Sequence, residues 1–181
     1  ELHLGEYDLR QVLNAVIELA SAEMIENKVY IQFHSPSSPL TVRIDADLIR
    51  QATLNLLLNA MQAMPEGGAV RVEARRDRHH VVVEVIDEGE GIAPELLPRI
   101  FDLYFTTKAT GSGIGLAMTY RILQMHGGAL EVRSTTKSHV EATPRGTTFT
   151  LRLPIVLTTT GSDVMNAAQA GVMPAELGRR S

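Results

Sequence analysis

The chain has 181 residues, a formal net charge of −4, 44% hydrophobic residues and no cysteine. This length supplies the core of one domain and does not favour a second full domain. The lack of cysteine excludes disulfides, thiolate metal sites and thiolate nucleophiles. The mildly acidic net charge does not indicate binding to nucleic acid or to an anionic membrane.

The first quarter of the chain predicts one helix and two short strands. Asp8 can cap a helix whose apolar residues recur at helical spacing to about Asn27. Alternation over residues 29–33 predicts a half-buried strand, and residues 41–44 predict a second one. The intervening cluster of serine and proline favours a turn, so we expect these two strands to form a hairpin.

A second helix carries the first residues with functional character. Asp45 or Asp47 can start it, and the sequence PEGG from Pro65 ends it. Asn55 and Asn59 lie four residues apart, so both amides project from one helical face. Taken alone, the pair could equally be polar helix residues facing solvent.

Two strands follow, and an acidic residue stands just past the C-terminal end of the second. The strands are predicted around Val70 and Val72 and over residues 81–85. Asp87 stands just past the second strand, ahead of Gly89 and Gly91. A carboxylate at a strand end suits a ligand site, although an Asx-turn would explain Asp87 as well.

The remaining segments predict a lid, a helix, two closing strands and a tail. Residues 99–112 lack steady periodicity and form a candidate mobile lid. A helix is expected over residues 114–125, and strands over residues 130–132 and 147–153. The pattern ends at Pro154, so we predict one domain over residues 1–154 and a tail or linker over residues 155–181.

The order of these elements predicts the fold class. The order helix, hairpin, helix, strands, lid, helix, strands indicates helices packed on one face of a mixed sheet. We therefore expect an α+β fold in which about three helices cover one face of a mixed, mainly antiparallel sheet.

The glycine-rich stretch before the third helix is typical of a phosphate site. Gly111, Gly113 and Gly115 permit a tight loop, and the helix that follows presents free N–H groups. A dinucleotide-binding fingerprint is excluded, because Leu116 stands where that motif requires its last glycine and no strand directly precedes the loop. Lys108 is the best cation for a terminal phosphate, with a solvated lysine as the alternative.

Four motifs in this order resemble the ATP-binding domains of sensor histidine kinases, in the superfamily of DNA gyrase, MutL-type repair proteins and certain chaperones. The resemblance covers residues 4–154. The matching motifs are NLLLNA at residues 55–60 (N box), DEGEGI at residues 87–92 (first glycine box), IFDLYF at residues 100–105 (F box) and GSGIGL at residues 111–116 (second glycine box). Further agreement comes from TTK at residues 106–108, HGG at residues 126–128 and GT at residues 146–147.

The resemblance implies a Bergerat-type α/β sandwich that binds ATP with Mg²⁺. It assigns the metal to Asn59, a position beside the phosphates to Asn55, and the adenine amine to Asp87. A neutral amide oxygen suits Mg²⁺, a hard ion that keeps several waters. The full set of expected nucleotide contacts is Asn55, Asn59, Gln62, Ala63, Asp87, Gly89, Gly91, Ile92, Phe105, Thr107, Lys108, Gly111, Ser112, Gly113, Ile114, Gly115, Leu116 and Thr147, with Asn55 and Lys108 also catalytic.

Three further expectations concern individual side chains in or near this set. Thr147 would support the adenine contact through its hydroxyl or a water, although a threonine in a strand is most often an ordinary strand residue. Phe101 and Phe105 are expected to anchor the lid in apolar pockets and not to stack on the base. Gln62 stands where many relatives carry Lys or Arg, so phosphate neutralisation would depend more on Lys108 and Mg²⁺.

The resemblance favours a kinase over an ATPase. Hydrolytic relatives carry a glutamate one helical turn before the metal asparagine, and Asn55 cannot accept a proton there. None of the six histidines lies in the acid-hydrophobe-basic context of a phosphoacceptor, and His126 is interpreted as favourable to a helix dipole. We therefore expect slow hydrolysis and no self-labelling.

The expected function is phosphorylation of a histidine on a separate helical dimerisation domain of the same parent protein, for transfer to a response-regulator aspartate. Two alternatives are a serine/threonine protein kinase or anti-sigma factor with the same nucleotide fold, and a non-catalytic nucleotide-binding module. Because Glu1 is not a methionine, we expect a piece of a longer protein, with a linker in its first few residues. No apolar run approaches the roughly 20 residues of a membrane span, so this part is expected to be cytoplasmic without membrane contact, whereas the parent protein can be membrane-anchored.

Overall fold

A computed structural model describes residues 1–108, 111–136 and 145–155. It contains three α-helices, Leu9–Glu26 (α1), Ala46–Gln62 (α2) and Gly115–Met125 (α3), and a short 3-10 helix at Leu97–Arg99. The strands are Gly5–Asp8 (β1), Val29–His34 (β2), Thr41–Ile44 (β3), Gly68–Arg76 (β4), His80–Asp87 (β5), Ala129–Thr135 (β6) and Gly146–Pro154 (β7). Most of the predicted helices and strands are thereby confirmed to within a few residues.

A five-stranded sheet with the order β2-β4-β5-β7-β6 forms one layer of the fold. Only the β2–β4 pair is parallel, and the other three pairs are antiparallel. The three helices pack against one another and against one face of this sheet, around a continuous apolar core. The predicted α+β class with a mixed, mainly antiparallel sheet is confirmed.

The predicted hairpin between β2 and β3 is wrong. β3 pairs with β1, a strand the sequence analysis missed, and these two form a separate antiparallel sheet. The intervening loop is held on the start of α1 instead of reversing tightly. The Asp8 Oδ1 atom accepts a hydrogen bond from the Leu40 N–H at 3.1 Å, and the Arg10 guanidinium donates to the carbonyl of Ser37 at 2.6 Å.

The two faces of the sheet differ in chemistry. Val83 and Val85 pair across the strands with Leu151 and Phe149, and all four side chains are buried in the core. On the opposite face Glu84 forms ion pairs with Arg75 of the neighbouring strand β4 and with Arg133 of β6, one strand further across the sheet. The helices therefore cover the apolar face, and the ion-paired face lies away from them.

The junction between α2 and α3 is closed by a buried histidine. The Asp45 N–H donates to His126 Nε2 at 2.9 Å, and the Asp45 Oδ1 atom caps α2 by accepting from the Leu48 N–H. His126 Nδ1 lies 2.7 Å from the Ile122 carbonyl oxygen. Because Nε2 accepts a hydrogen bond, the proton must be on Nδ1 and the ring is neutral. His126 is the C-cap of α3, at the helix C-terminus where it was predicted, and its ring also links that helix to the start of α2.

We expect His126→Ala to lower the free energy of unfolding by about 3 kcal/mol, because it removes a buried ring and leaves the buried Asp45 N–H unpaired. Urea unfolding followed by circular dichroism measures this change. His79→Ala, at an exposed position, is the matched control and should change stability by less than about 0.5 kcal/mol. Equal stability of the two variants would contradict the linking role of His126.

Candidate nucleotide-binding site

Asp87 ends β5 and is only 5% exposed. Its Oδ1 atom accepts hydrogen bonds from the Gly89 N–H at 2.9 Å and from the Thr147 N–H at 3.2 Å. Within the part of the chain that the structure describes, Oδ2 accepts no hydrogen bond, so that oxygen can take one from a ligand. The Asx-turn considered above is present, but it uses only one of the two carboxylate oxygens.

The charge state of Asp87 reflects its surroundings. Burial raises the pKa of this carboxyl above its usual value of 3.8, and the hydrogen bonds from Gly89 and Thr147 and the charge of Lys108 oppose that rise. A buried carboxylate that is oriented through one oxygen and retains a free second oxygen is suited to accept a hydrogen bond from a ligand amine.

Three glycines let backbone segments close around Asp87. Gly91 has φ +77°, and a Cβ atom there would overlap the carbonyl oxygen of Thr135. A Cβ at Gly89 would lie 2.6 Å from the Ala63 carbonyl oxygen. Gly146, which the sequence analysis did not place among the contact residues, has φ +136°, and its Cβ would overlap the Asp87 carbonyl oxygen.

Ser134 connects the two sides of this region and was missed by the sequence analysis. Its Oγ accepts from the Ile92 N–H at 2.7 Å and lies 3.1 Å from the Gly146 carbonyl oxygen, to which it donates. Since the single hydroxyl proton of Ser134 is then used, the Thr147 hydroxyl must donate the 2.9 Å bond that joins the two side chains. The Thr147 oxygen therefore keeps lone pairs for a ligand or water. No motif in the sequence marked Ser134, which appears as an ordinary strand residue.

Asn55 adjoins the start of α3. Its Nδ2 donates to Thr119 Oγ1 at 2.9 Å, and that hydroxyl donates to the Gly115 carbonyl oxygen at 3.0 Å. A Cβ at Gly115 would overlap Asn55 Oδ1. Asn55 and the second glycine box, which were each expected beside the phosphates, are therefore neighbours, and their close approach depends on glycine at position 115.

A second cluster of polar side chains lies one helical turn further along α2, where Lys108 contacts Asn59 and Gln62. The Lys108 Nζ atom lies 2.6 Å from Gln62 Oε1 and 3.3 Å from Asn59 Oδ1. Lys108 is exposed as a whole, yet the protein packed around its ammonium lowers its pKa, and the charges of Asp87 and Glu90 oppose that effect.

The surroundings of Asn59 fit a hard cation with bound phosphates. Its Oδ1 atom already contacts one cation, the Lys108 ammonium. Its Nδ2 atom is buried without a hydrogen-bond partner among the described residues, so it can donate to a phosphate oxygen. No group of three or more His, Asp or Glu side chains suited to a metal occurs in residues 1–108, 111–136 and 145–155. Asn59 Oδ1 is therefore suited to complete the coordination shell of a hard cation whose other ligands are phosphate oxygens and waters.

The start of α3 is open to an anion. Gly113 has φ +67°, and Ile114 at the N-cap provides no side-chain hydrogen bond to the helix. Cavities of about 450 Å³ and about 280 Å³ lie beside Lys108 and beside Asn55, respectively. The first is bordered by Gln62, Lys108 and Gly111, and the second by Asn55, Ser112 and Gly115.

The remaining predicted contact residues have different surroundings. Phe101 stacks on Tyr120 with ring centroids 5.1 Å apart, and Phe105 lies under the Arg99 guanidinium at 4.6 Å. Both phenylalanines pack against the core, as expected for anchors of the predicted lid. Thr107 is exposed, and Leu116 also packs against the core. The predicted lid includes residues 109–110, which lie outside the described residues, as does the predicted tail from residue 156 onward.

We expect Gly115→Ala to lower the affinity for Mg·ATP about tenfold, because the added Cβ would displace Asn55 or the first turn of α3. Alanine favours a helix by about 1 kcal/mol over glycine, so a general loss of helix stability is not expected. Calorimetry measures the affinity, and Arg121→Ala, at an exposed position of α3, is the control. Unchanged affinity in Gly115→Ala would show that the contact between Asn55 and α3 is not needed for binding.

Residues 44–157 match the protein family described as histidine kinase-, DNA gyrase B- and HSP90-like ATPases. Sensor histidine kinase ZraS of Escherichia coli (strain K12) is 36% identical over 157 residues, which are 87% of this chain and 32% of ZraS. Sporulation kinase A of Bacillus subtilis is 33% identical over 147 residues, covering 81% of this chain and 23% of that protein. The chain therefore spans a third or less of these relatives.

Solved structures agree in fold. The catalytic domain of histidine kinase ThkA superposes with a TM-score of 0.74 at 27% identity and covers 84% of this chain and 95% of that one. Full-length ShkA in complex with AMPPNP gives a TM-score of 0.72 at 31% identity, over 85% of this chain and 31% of ShkA. Within the described residues, no helix has the length and apolar character of a membrane span. The chain belongs to the family of histidine kinase-, DNA gyrase B- and HSP90-like ATPases, as an ATP-binding domain of the sensor histidine kinase type.

Proposed function

We propose that this domain binds Mg·ATP and supplies the γ-phosphate to a histidine on a separate helical dimerisation domain of its parent protein, for transfer to a response-regulator aspartate. The observation that carries the proposal is the convergence of an oriented buried carboxylate, two asparagines of one helix face and a lysine. We also propose residues 1–154 as the ATP-binding domain, residues 155–181 as a tail or linker, and a cytoplasmic position for both.

Each end of the nucleotide would have its own set of residues. Asp87 Oδ2 would accept a hydrogen bond from the exocyclic amine of adenine, with the Thr147 hydroxyl oxygen beside it. Asn59 Oδ1 would bind the metal, and Mg²⁺ when bound would neutralise charge on the phosphates. The N–H groups at the start of α3 would receive the phosphates.

The described residues around the phosphate end favour transfer over hydrolysis. Asn55 occupies the position from which a glutamate would activate water, and its Nδ2 is a donor already bound to Thr119. An amide has no basic lone pair that could accept a proton at neutral pH. Lys108 would bring positive charge to the γ-phosphate as it passes to the acceptor.

The phosphoacceptor would come from outside this chain. His126 is excluded because its ring is buried and both nitrogens bind backbone groups. His139 lies outside the described residues, and neither it nor the other four histidines stands in the sequence context of a phosphoacceptor. We therefore expect no phosphohistidine in this chain alone.

The test is incubation with γ-labelled ATP and Mg²⁺, with and without the helical domain of the parent protein. An acid-labile label on that domain only is the expected result. Label on this chain would overturn the separation of acceptor and catalyst. Acid-stable label on a serine or threonine of a partner would favour the protein-kinase alternative, and normal ATP binding without transfer to any acceptor would favour the non-catalytic module.

A further inference from the structure

We propose that Gln62 is a positioning residue that holds the Lys108 ammonium against Asn59 Oδ1, so that Lys108 must leave this oxygen when a metal binds there. The inference rests on the proposed function in one respect, the assignment of Asn59 as a metal ligand. It concerns a contact of this chain's own residues, and that contact can be measured in the protein without nucleotide.

The contact joins two segments that are distant in sequence. Asn59 and Gln62 are three residues apart near the end of α2, so their side chains lie on one helical face. Lys108 reaches them from a segment 46 residues beyond Gln62, with the shorter distance, 2.6 Å, to Gln62 Oε1 and the longer, 3.3 Å, to Asn59 Oδ1. Gln62 is therefore the closer acceptor of the two.

The contact of Lys108 with Gln62 and Asn59 can be broken when a ligand binds, because it includes no opposite charge. Both oxygens that contact Lys108 are neutral amide acceptors, and no carboxylate among the described residues forms an ion pair with its ammonium. Hydrogen bonds between a cation and neutral acceptors orient it without the attraction of a full opposite charge. A divalent cation with its phosphates can therefore replace Lys108 at Asn59, and the phosphates offer the ammonium a better partner.

Few other side-chain contacts hold the segment that carries Lys108. Thr106, Thr107 and Lys108 are all exposed. The Lys108 N–H bonds within the segment, to Thr106 Oγ1 at 3.1 Å. Residues 106–108 bury little apolar surface. The hydrogen bond from Lys108 to Gln62 should therefore govern how often this segment moves away from α2.

The identity of residue 62 matters for this role. A lysine or arginine at this position would repel Lys108, whereas the glutamine oxygen attracts it. Gln62 provides no positive charge for the phosphates, but its side-chain oxygen fixes the position of the Lys108 ammonium beside Asn59. This role differs from the direct nucleotide contact expected from sequence.

The test compares backbone amide exchange of residues 105–108, measured by NMR in protein without nucleotide. Gln62→Met keeps the side-chain length but removes the acceptor, and should speed exchange at least about threefold. Gln62→Glu keeps an acceptor and should leave exchange unchanged or slower. Lys108→Met should match Gln62→Met, and the double variant should add nothing further.

A purely structural role for Gln62 would give a different pattern. In that case Gln62→Met would speed exchange by the same factor with Lys108 present or replaced, and this result would overturn the proposal. Unchanged exchange in Gln62→Met would overturn it as well. Failure of the wild-type chain to bind Mg·ATP would instead contradict the proposed function, and the exchange data would still decide the Gln62 contact.

Discussion

Asp87→Asn should lower the affinity for ATP at least about 100-fold, equivalent to about 2.7 kcal/mol. The Gly89 and Thr147 N–H groups both require an acceptor at the Oδ1 position, so the asparagine oxygen must stay there. The amide nitrogen then takes the place of Oδ2 and turns its hydrogens toward the adenine amine. Two donors face each other in a buried site, which leaves both unsatisfied.

The same substitution should not unfold the protein. Because burial raises the pKa of Asp87 above 3.8, the folded chain binds this proton more tightly than the unfolded chain does. The ionised carboxylate therefore lowers stability at neutral pH, and this effect fades as the pH falls through the raised pKa toward 3.8. Asparagine does not titrate, so the variant should be at least as stable as wild type at neutral pH, with a difference that shrinks in acid.

Calorimetry with Mg²⁺ measures the affinity, and urea unfolding at several pH values measures stability. Asp47→Asn is the matched control, because Asp47 has a side chain that is 88% exposed, and ATP binding should be unchanged in it. Equal ATP affinity in wild type and Asp87→Asn would remove Asp87 from the adenine site. A variant that loses both binding and stability would show that the carboxylate is needed for the fold, contrary to the pKa argument.

The parts of the fold that the sequence predicted are those whose signals are local. Asp45 caps α2 as expected, because a capping side chain bonds within its own first turn. The strand with alternating valines at residues 81–85 lies in the centre of the sheet, where its core-facing side chains pair with those of β7. Three of the four motifs come together because α2, the end of β5 and the start of α3 each present one of them. The F box joins the second glycine box through the Tyr104 N–H, which donates to the Gly113 carbonyl oxygen.

The parts that the sequence did not predict depend on contacts between distant residues. β1 has a polar sequence and exists because it pairs with β3, and β2 pairs with β4 across a whole helix instead of with its neighbour. Ser134 has no motif, and its role appears only when Ile92 and Thr147 are brought to either side of it. The sequence analysis related Gln62 and Lys108 only through the charge of the phosphates, and did not predict the direct contact between them.

Asn59→Ala should abolish the effect of Mg²⁺ on ATP binding and lower transfer to the helical phosphoacceptor domain about 1000-fold, equivalent to about 4 kcal/mol. The substitution removes the Oδ1 atom proposed as the metal ligand and the Nδ2 atom that is buried without a partner among the described residues. Contacts to adenine are made elsewhere, so the affinity for ATP measured in EDTA should change little. Calorimetry with and without Mg²⁺ separates these two contributions.

Asn14→Ala, at an exposed position of α1, controls for the loss of an asparagine from a helix and should retain both the Mg²⁺ effect and transfer. If Asn59→Ala keeps the Mg²⁺ effect, the metal ligand lies elsewhere in the chain or in the acceptor domain. If the variant instead loses ATP affinity equally with Mg²⁺ and in EDTA, Asn59 acts on the phosphates directly through Nδ2. Only a loss confined to the Mg²⁺-dependent part of binding supports Asn59 Oδ1 as the ligand, because the metal is the only difference between the two titrations.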